Sequence, residues 1–396
     1  MTTLQDTTVG VVGAGAMGSG IAQVAAAAGH RVILGDALAG ATAKARSSMS
    51  KALDREIEKT KMSRADADAL LGRITWHERP LMDDVGIFAT CGLVIEAIVE
   101  DIEAKRRLFA GLESVVGRDA ILATNTSSLS VTAIASSCTH AGRVIGLHFF
   151  NPAPVLPLVE VVPWVGTRST IVSACQALMS AWKKTPVVAS DTPGFIVNRI
   201  ARAYYGESIR IAEEGIADYA TIDGAMRDLG KFRMGPFELM DFIGNDVNFA
   251  VTRSVFQGFY GDARYRPSLT QQRLVEAGFL GRKTGRGYFD YTDGVVKPMA
   301  TTDPIVALHV FERVIAMLIN EAVDAVHLNV ASPADIDVAM VRGMNYPKGL
   351  LAWCDEIGAG RVLSWMTHLR DEFGEDRYRP SPLLRRMANQ NTRFFA

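Results

Sequence analysis

The chain has 396 residues, 48% of them apolar and 21% charged, and a formal net charge of -1. That length exceeds one ordinary hydrophobic core and predicts two or three domains, while the near-neutral charge and the lack of a Lys/Arg block among aromatics exclude a nucleic-acid binder. Cys91, Cys138, Cys175 and Cys354 lack metal-ligand or redox spacing, no window approaches 18 uninterrupted apolar residues, and the N-terminus carries no basic leader; a cytoplasmic protein with idle thiols, no metal and no membrane span is expected.

The first elements are contained in "TVGVVGAGAMGSGIAQVAAAAGHRVILGD", Thr8 to Asp36. A strand over Val9 to Val12 feeds the turn Gly13-x-Gly15-x-x-Gly18, an Ala-rich helix follows, and a second strand ends at Asp36. Gly13 permits the tight turn, Gly15 lets backbone approach a pyrophosphate, and Gly18 lets the helix pack closely on the strand. Ala16 and Met17 begin the helix, where unsatisfied amides favour phosphate. The Asp36 carboxylate suits a ribose with two free hydroxyls and repels a 2'-phosphate, so NAD is expected over NADP.

Next comes a helical segment, "KALDREIEKTKMSRADADALL" from Lys51, carrying Lys59 and Lys61. Strand-like runs at Gly92 to Ile98, Ala120 to Asn125 and Arg143 to Phe150 then alternate with helix-like segments near 101–117 and 129–137. That alternation predicts a parallel sheet, whose ligands sit at the carboxyl ends of the strands. Glu100, Asn125, Ser127 and His148 occupy such positions. The strand "VLPLVEVV" brings Glu160 twelve residues after His148. A carboxylate beside an imidazole fixes its tautomer and stabilises the protonated ring, as a general base requires.

Together, "GAGAMGSGIA", "VIEAIVEDIEAK", "TNTSSLS", "LHFFNPAPVLPLVEVV" and "DTPGFIVNRI" resemble the L-3-hydroxyacyl-CoA dehydrogenase family over residues 6–292. The resemblance implies a Rossmann-type NAD-binding domain followed by all-α substrate modules, and a place in fatty-acid β-oxidation chemistry. It implies that His148 is the general base, that Glu160 pairs with it, and that Ser127 and Asn198 hold the reacting oxygen. It also implies that Glu100, Lys105, Asn125 and Asn151 surround the cofactor, and that the segment bearing Lys59 and Lys61 meets coenzyme A. "HFFNP" favours a CoA thioester over a free 3-hydroxy acid such as gulonate. A retired NAD-binding protein would be expected to have lost one of His148, Glu160, Ser127 and Asn198, and all four match.

From Asp191 the pattern turns helical, with "PGFIVNRIARAYYGESIRIAEEG" starting at a proline and ending at Gly215. "GRKTGRG" lacks the Gly-before-Lys of a P-loop and instead resembles the family's closing turn, leading to a short strand "YFDY". "RYRPS" then occurs twice, at Arg264 and Arg377, 113 residues apart, while Arg199 and Arg313, Glu207 and Glu321, Asp223 and Asp337, Met226 and Met340, and Asp241 and Asp355 are each 114 apart. A nearly constant period means a duplicated helical module. In the second copy Glu312 replaces Asn198, and "TRFFA" ends the chain without the closing glycine turn.

The expected domains are 1–190 for NAD, 191–296 for substrate, and 297–396 as a degenerate second copy. Related multifunctional enzymes carry a second copy in place of a dimer partner. Residues 300–396 are therefore expected to pack on 191–292 as an internal pseudo-dimer, with further homo-oligomerisation left open.

Overall fold

The computed structural model describes residues 4–81, 85–301 and 303–395, and the chain divides into two compact units between Thr192 and Pro193. The first contains β1 (Thr8–Val12), α1 (Ala16–Ala27), β2 (Val32–Gly35), α2 (Ala41–Glu58), α3 (Arg64–Gly72) and β3 (Ile74–Trp76). It continues through β4 (Cys91–Glu96), α4 (Ile102–Val115), β5 (Ile121–Thr124), α5 (Val131–Ala135), β6 (Val144–Phe149), β7 (Leu158–Val162), α6 (Ser169–Ala181) and β8 (Thr185–Val188).

These strands form one sheet in the order β3-β2-β1-β4-β5-β6-β7-β8. Helices cover both faces. One core gathers Ile21, Val24, Met49 and Leu178 against the sheet, and the other gathers Phe109, Leu112 and Ile134. Burial on both faces explains the near-continuous apolar runs of β5 and β6. The strand order reverses between β1 and β4, which opens a crevice at their carboxyl ends, the usual place for a ligand in such a sheet.

The parallel pairing expected of the runs now seen as β4, β5 and β6 holds, whereas β7, beyond those runs, is antiparallel to β6, and β8 is parallel to β7. The connection from Phe150 to Pro157 is too short for the crossover that a parallel neighbour requires. The long helical segment from Lys51 also divides, because Thr60 adopts a left-handed φ of 54° between α2 and α3.

The second unit holds α7 (Val197–Glu213), α8 (Tyr219–Asp228), α9 (Pro236–Ile243), α10 (Asn245–Gly258) and α11 (Leu269–Glu276). It then repeats the series as α12 (Pro304–His327), α13 (Pro333–Met344), α14 (Leu350–Ile357), α15 (Ala359–Phe373) and α16 (Pro382–Gln390). Helix α7 begins at Val197 rather than at Pro193, since Gly194 and Phe195 take φ values of 75° and 48° and delay the helix. Residues 288–291 form no strand; isolated bridges join Gly281 to Arg286 and Arg286 to Asp290.

The repeated aspartates do the same work twice. Asp223 accepts hydrogen bonds from Phe237 N at 2.9 Å and Glu238 N at 3.0 Å, tying down the start of α9. Asp337 accepts from Leu351 N at 2.8 Å and Ala352 N at 2.9 Å at the start of α14. Gly235 and Gly349 precede these helices because a methyl group there would fall within 2.3 Å and 2.1 Å of the respective carboxylates. Asp241 receives the amides of Tyr288 and Phe289, and Asp355 those of Phe394 and Phe395. The second copy lacks the glycine turn, yet its end is fastened to the equivalent aspartate.

The two series also exchange partners. Arg199 Nε donates to Glu321 at 2.6 Å, and Arg313 Nε donates to Glu207 at 2.5 Å. Tyr265 Oη donates to Glu321 and Tyr378 Oη to Glu207, while Phe232 stacks edge-on against Tyr346, the residue 114 positions later. Reciprocal contacts of this kind define a self-complementary interface, here within one chain.

Candidate active site

The glycine turn leaves its phosphate-facing backbone open. Gly15 caps α1 without a side-chain hydrogen bond, so the amides of Ala16, Met17 and Gly18 open the helix with no side chain competing for them. A methyl group on Gly15 would meet nothing within 4 Å. On Gly18 it would lie 1.8 Å from Gly13 O, and on Gly13, where φ is 104°, 2.5 Å from Ala97 O. Gly13 and Gly18 are therefore demanded by the fold, whereas the open space at Gly15 suits a ligand. Asp36 follows β2 and accepts from Ala14 N at 2.6 Å and Leu38 N at 2.7 Å, which holds its carboxylate at the edge of this cradle.

A second polar layer lies past β4 and β5. Glu100 accepts from Thr126 Oγ1 at 2.6 Å and Ser127 N at 2.8 Å, so it shapes the loop that carries Ser127. Burial pushes its carboxyl up, but the Lys105 ammonium and the Thr126 and Ser127 donors outweigh this and hold it below the usual range. Lys105 is 1% exposed, 2.5 Å from Glu96 and 3.0 Å from Glu100. Its ammonium is paired within the protein and holds Glu100 in place. Glu96, fully buried, also accepts from Thr124 Oγ1 and Ile98 N. Sequence reading passed over Glu96, although a carboxylate inside the apolar run "GLVIEAI" was the available signal.

His148 and Glu160 are direct cross-strand neighbours in the antiparallel β6–β7 pair. His148 Nδ1 lies 2.6 Å from Glu160 Oε2, with both residues buried. The carboxylate partner assigns the proton to Nδ1 and leaves Nε2 as the basic nitrogen of the neutral ring. Phe150 packs on the imidazole at 4.4 Å between centroids. Asn125 joins the arrangement by accepting from Phe149 N at 2.8 Å, which ties the end of β5 to the strand bearing His148.

One sheet edge thus gathers Gly13, Gly15, Asp36, Glu100, Asn125, Ser127 and His148 at the ends of successive strands. Asn151 is exposed just beyond β6, and Asn198 is the second residue of α7 in the other unit. Lys59 and Lys61 occupy the exposed turn after α2, each 3.8 Å from Glu56. The thiols of Cys91 and Cys175, both buried, are pushed up to about 12 by burial. Among the described residues no helix is long and apolar enough to cross a membrane.

A dinucleotide cradle on a doubly wound sheet, beside a carboxylate-oriented histidine, is the equipment of a nicotinamide-dependent dehydrogenase. Residues 8–192 match the 3-hydroxyacyl-CoA dehydrogenase NAD binding domain, and residues 194–291 and 309–393 match the C-terminal domain of the same name. The chain belongs to the 3-hydroxyacyl-CoA dehydrogenase family, and its cofactor is NAD. It is 38% identical to the 3-hydroxyadipyl-CoA dehydrogenase of Escherichia coli K12, covering 96% of this chain and 97% of the relative. It is 40% identical to a probable 3-hydroxybutyryl-CoA dehydrogenase of Deinococcus radiodurans, over 71% of this chain and 99% of that one. A crystal structure of 3-hydroxybutyryl-CoA dehydrogenase from Escherichia coli K12 superposes with a TM-score of 0.89 at 38% identity, over 97% and 98% of the two chains.

Proposed function

We propose that the chain oxidises (S)-3-hydroxyacyl-CoA to 3-oxoacyl-CoA, reversibly, with His148 as the general base. The observation that carries this reading is the 2.6 Å contact between His148 Nδ1 and Glu160. With Nδ1–H engaged by Glu160, Nε2 takes the proton of the 3-hydroxyl, and the buried carboxylate stabilises the resulting imidazolium. NAD, when bound, supplies the acceptor for the hydride that leaves C3. Ser127 and Asn198 hydrogen-bond the oxygen as it becomes a carbonyl, and Glu100 sets the position of Ser127 through its backbone amide. In the reverse direction the imidazolium returns its proton to the ketone oxygen.

NADH absorbance, followed with (S)-3-hydroxybutyryl-CoA, longer 3-hydroxyacyl-CoAs and free 3-hydroxybutyrate, tests the reading. Turnover of thioesters but not of the free acid is expected. Equal turnover of the free acid would favour a hydroxy-acid dehydrogenase.

We further infer that the three parts 1–190, 191–296 and 297–396 act as one NAD-binding domain and an internal pair of helical modules. The reciprocal Arg199–Glu321 and Arg313–Glu207 contacts support it. Truncation after Tyr291 removes α12, whose residues from Val314 to Ile319 are almost wholly buried. The shortened chain is expected to aggregate or to dimerise; a soluble monomer of undiminished stability would overturn the pairing.

A further inference from the structure

The connection from β6 to β7, residues 150–157, links the strand of His148 to the strand of Glu160 and carries Asn151. Three of its eight residues, Pro152, Pro154 and Pro157, are prolines and have no amide proton to donate. Its two internal hydrogen bonds, from Val155 N at 2.9 Å and Leu156 N at 3.0 Å, both end on Pro152 O. The carbonyls of Ala153 and Leu156 therefore need a donor from elsewhere in the fold.

Lys184 supplies it. Its Nζ donates to Ala153 O at 2.5 Å and to Leu156 O at 2.9 Å. Burial of this half-buried ammonium disfavours its charged form and lowers it below the usual lysine range, the cost of directing a cation onto neutral carbonyls. The backbone beneath it is fixed. Helix α6 ends with Lys183 at a left-handed φ of 59°, Lys183 N bonded to Ser180 O at 2.9 Å and Lys184 N to Met179 O at 2.9 Å, the paired bonds of a Schellman turn. Thr185 N then donates to Pro157 O at 2.8 Å, where β8 begins beside β7.

The same connection also packs on α1. A methyl group on Gly20 would lie 3.1 Å from Pro154 Cδ and 3.2 Å from Ala153 Cβ, so the loop sits directly against the helix that opens the dinucleotide cradle. Ala153 thus touches the cofactor helix with its side chain while Lys184 holds its carbonyl. We propose that Lys184 is a positioning residue for hydride transfer: it keeps this connection seated on α1 and so fixes Asn151 and the His148–Glu160 pair relative to the dinucleotide turn. This rests on the dehydrogenase reading above, with Asn151 beside the nicotinamide. The adenosine and pyrophosphate end of NAD, which belongs to Gly15 and Asp36, should not depend on Lys184. The nicotinamide end should.

The test measures three quantities in the wild type, Lys184→Met and Lys184→Arg: affinity for ADP-ribose, which lacks the nicotinamide, affinity for NADH, and the single-turnover rate of hydride transfer from (S)-3-hydroxybutyryl-CoA to NAD. Lys184→Met is expected to keep its ADP-ribose affinity yet transfer hydride about 10–100-fold more slowly, the loss that a misplacement of about 1 Å brings. Lys184→Arg, which keeps donors for both carbonyls, should recover most of the rate. A wild-type transfer rate in Lys184→Met would overturn the proposal. A loss of ADP-ribose affinity as large as the loss of rate would also overturn it, since Lys184 would then support the domain as a whole. Should Lys184→Met fail to fold, Lys184→Gln decides: its shorter stem cannot reach both carbonyls, so slower transfer at constant ADP-ribose affinity supports the proposal and an unchanged rate overturns it. If the wild type oxidises no thioester, the dehydrogenase reading itself fails, whereas NADH affinity that falls in Lys184→Met at constant ADP-ribose affinity still supports control of the nicotinamide end.

Discussion

Arg199 and Glu321, 2.6 Å apart in the interior of the helical unit, are each the repeat counterpart of a residue in a second pair, Arg313 with Glu207 at 2.5 Å. Glu321 also accepts from Arg264 and from Tyr265 Oη, so it anchors three donors from the first series. Breaking a buried ion pair leaves the survivor's charge stranded. Glu321→Ala is therefore expected to lower unfolding stability by about 3–5 kcal/mol, read from urea titration. Replacing Arg313 and Glu207 together with Met and Leu should cost less than the sum of the single changes, because neither member of that buried pair is left facing an absent partner, while the loss of the half-buried Glu214 contact to Arg313 is common to the single and double variants. Additive losses would mean that the pairs are not coupled.

The glycine turn separates fold from ligand. Gly18→Ala drives a methyl into Gly13 O at 1.8 Å and is expected to destabilise the first unit by roughly 3–5 kcal/mol. Gly15→Ala meets no protein atom within 4 Å, so its thermal midpoint should match the wild type while NADH affinity, measured by fluorescence titration, falls. A Gly15→Ala protein that binds NADH normally would place the pyrophosphate elsewhere.

The His148–Glu160 pair predicts two grades of damage. His148→Ala removes the proton acceptor and should lower kcat by about 10²–10⁴-fold with NADH affinity retained. Glu160→Gln preserves the shape but removes the charge that stabilises the imidazolium, and its kcat is expected to fall to a similar or lesser extent. Stopped-flow hydride transfer distinguishes this from slow product release. An unchanged transfer rate in Glu160→Gln would remove the carboxylate from the mechanism.

Acid stability follows Glu100. Its folded carboxyl lies below the ordinary range despite burial, owing chiefly to Lys105, so its contribution is fully present above the unfolded value of about 4.3 and is lost as pH falls through the lower folded value. Asp262, also held low, by the Arg264 amide and the Arg379 guanidinium against the effect of burial, acts in the same direction. Thermal midpoints measured from pH 6 downward should decline, and Glu100→Gln should flatten the part of that decline below about pH 4.3. An identical acid limb in the variant would show that the Glu100–Lys105 contact adds nothing to stability.

How much of this was legible beforehand differs from element to element. The dinucleotide turn, the strand ends and His148 could be read because each depends on local rules: glycine spacing, apolar runs and the punctuation of strand ends. Asp241 and Asp355 were visible as a repeat, although their shared task of holding the backbone amides of the segment that closes each helical series was not. The direction of β7 could not be assigned, because an apolar run has the same composition in either direction. Lys105 could be placed near the cofactor by resemblance, but its burial between Glu96 and Glu100 follows only from the fold.

By itself the amino-acid sequence determined the architecture of the first unit, the cofactor and the duplication, since these follow from periodicity, glycine placement and a constant spacing along one chain. Tertiary structure alone decided which charges cancel. Arg199 and Arg313 lie on related helices and look alike in sequence, but only packing brings Glu321 to the first and Glu207 to the second. The reason is physical: an ion pair depends on inverse distance between atoms far apart in sequence, and that distance exists only after the helices have packed.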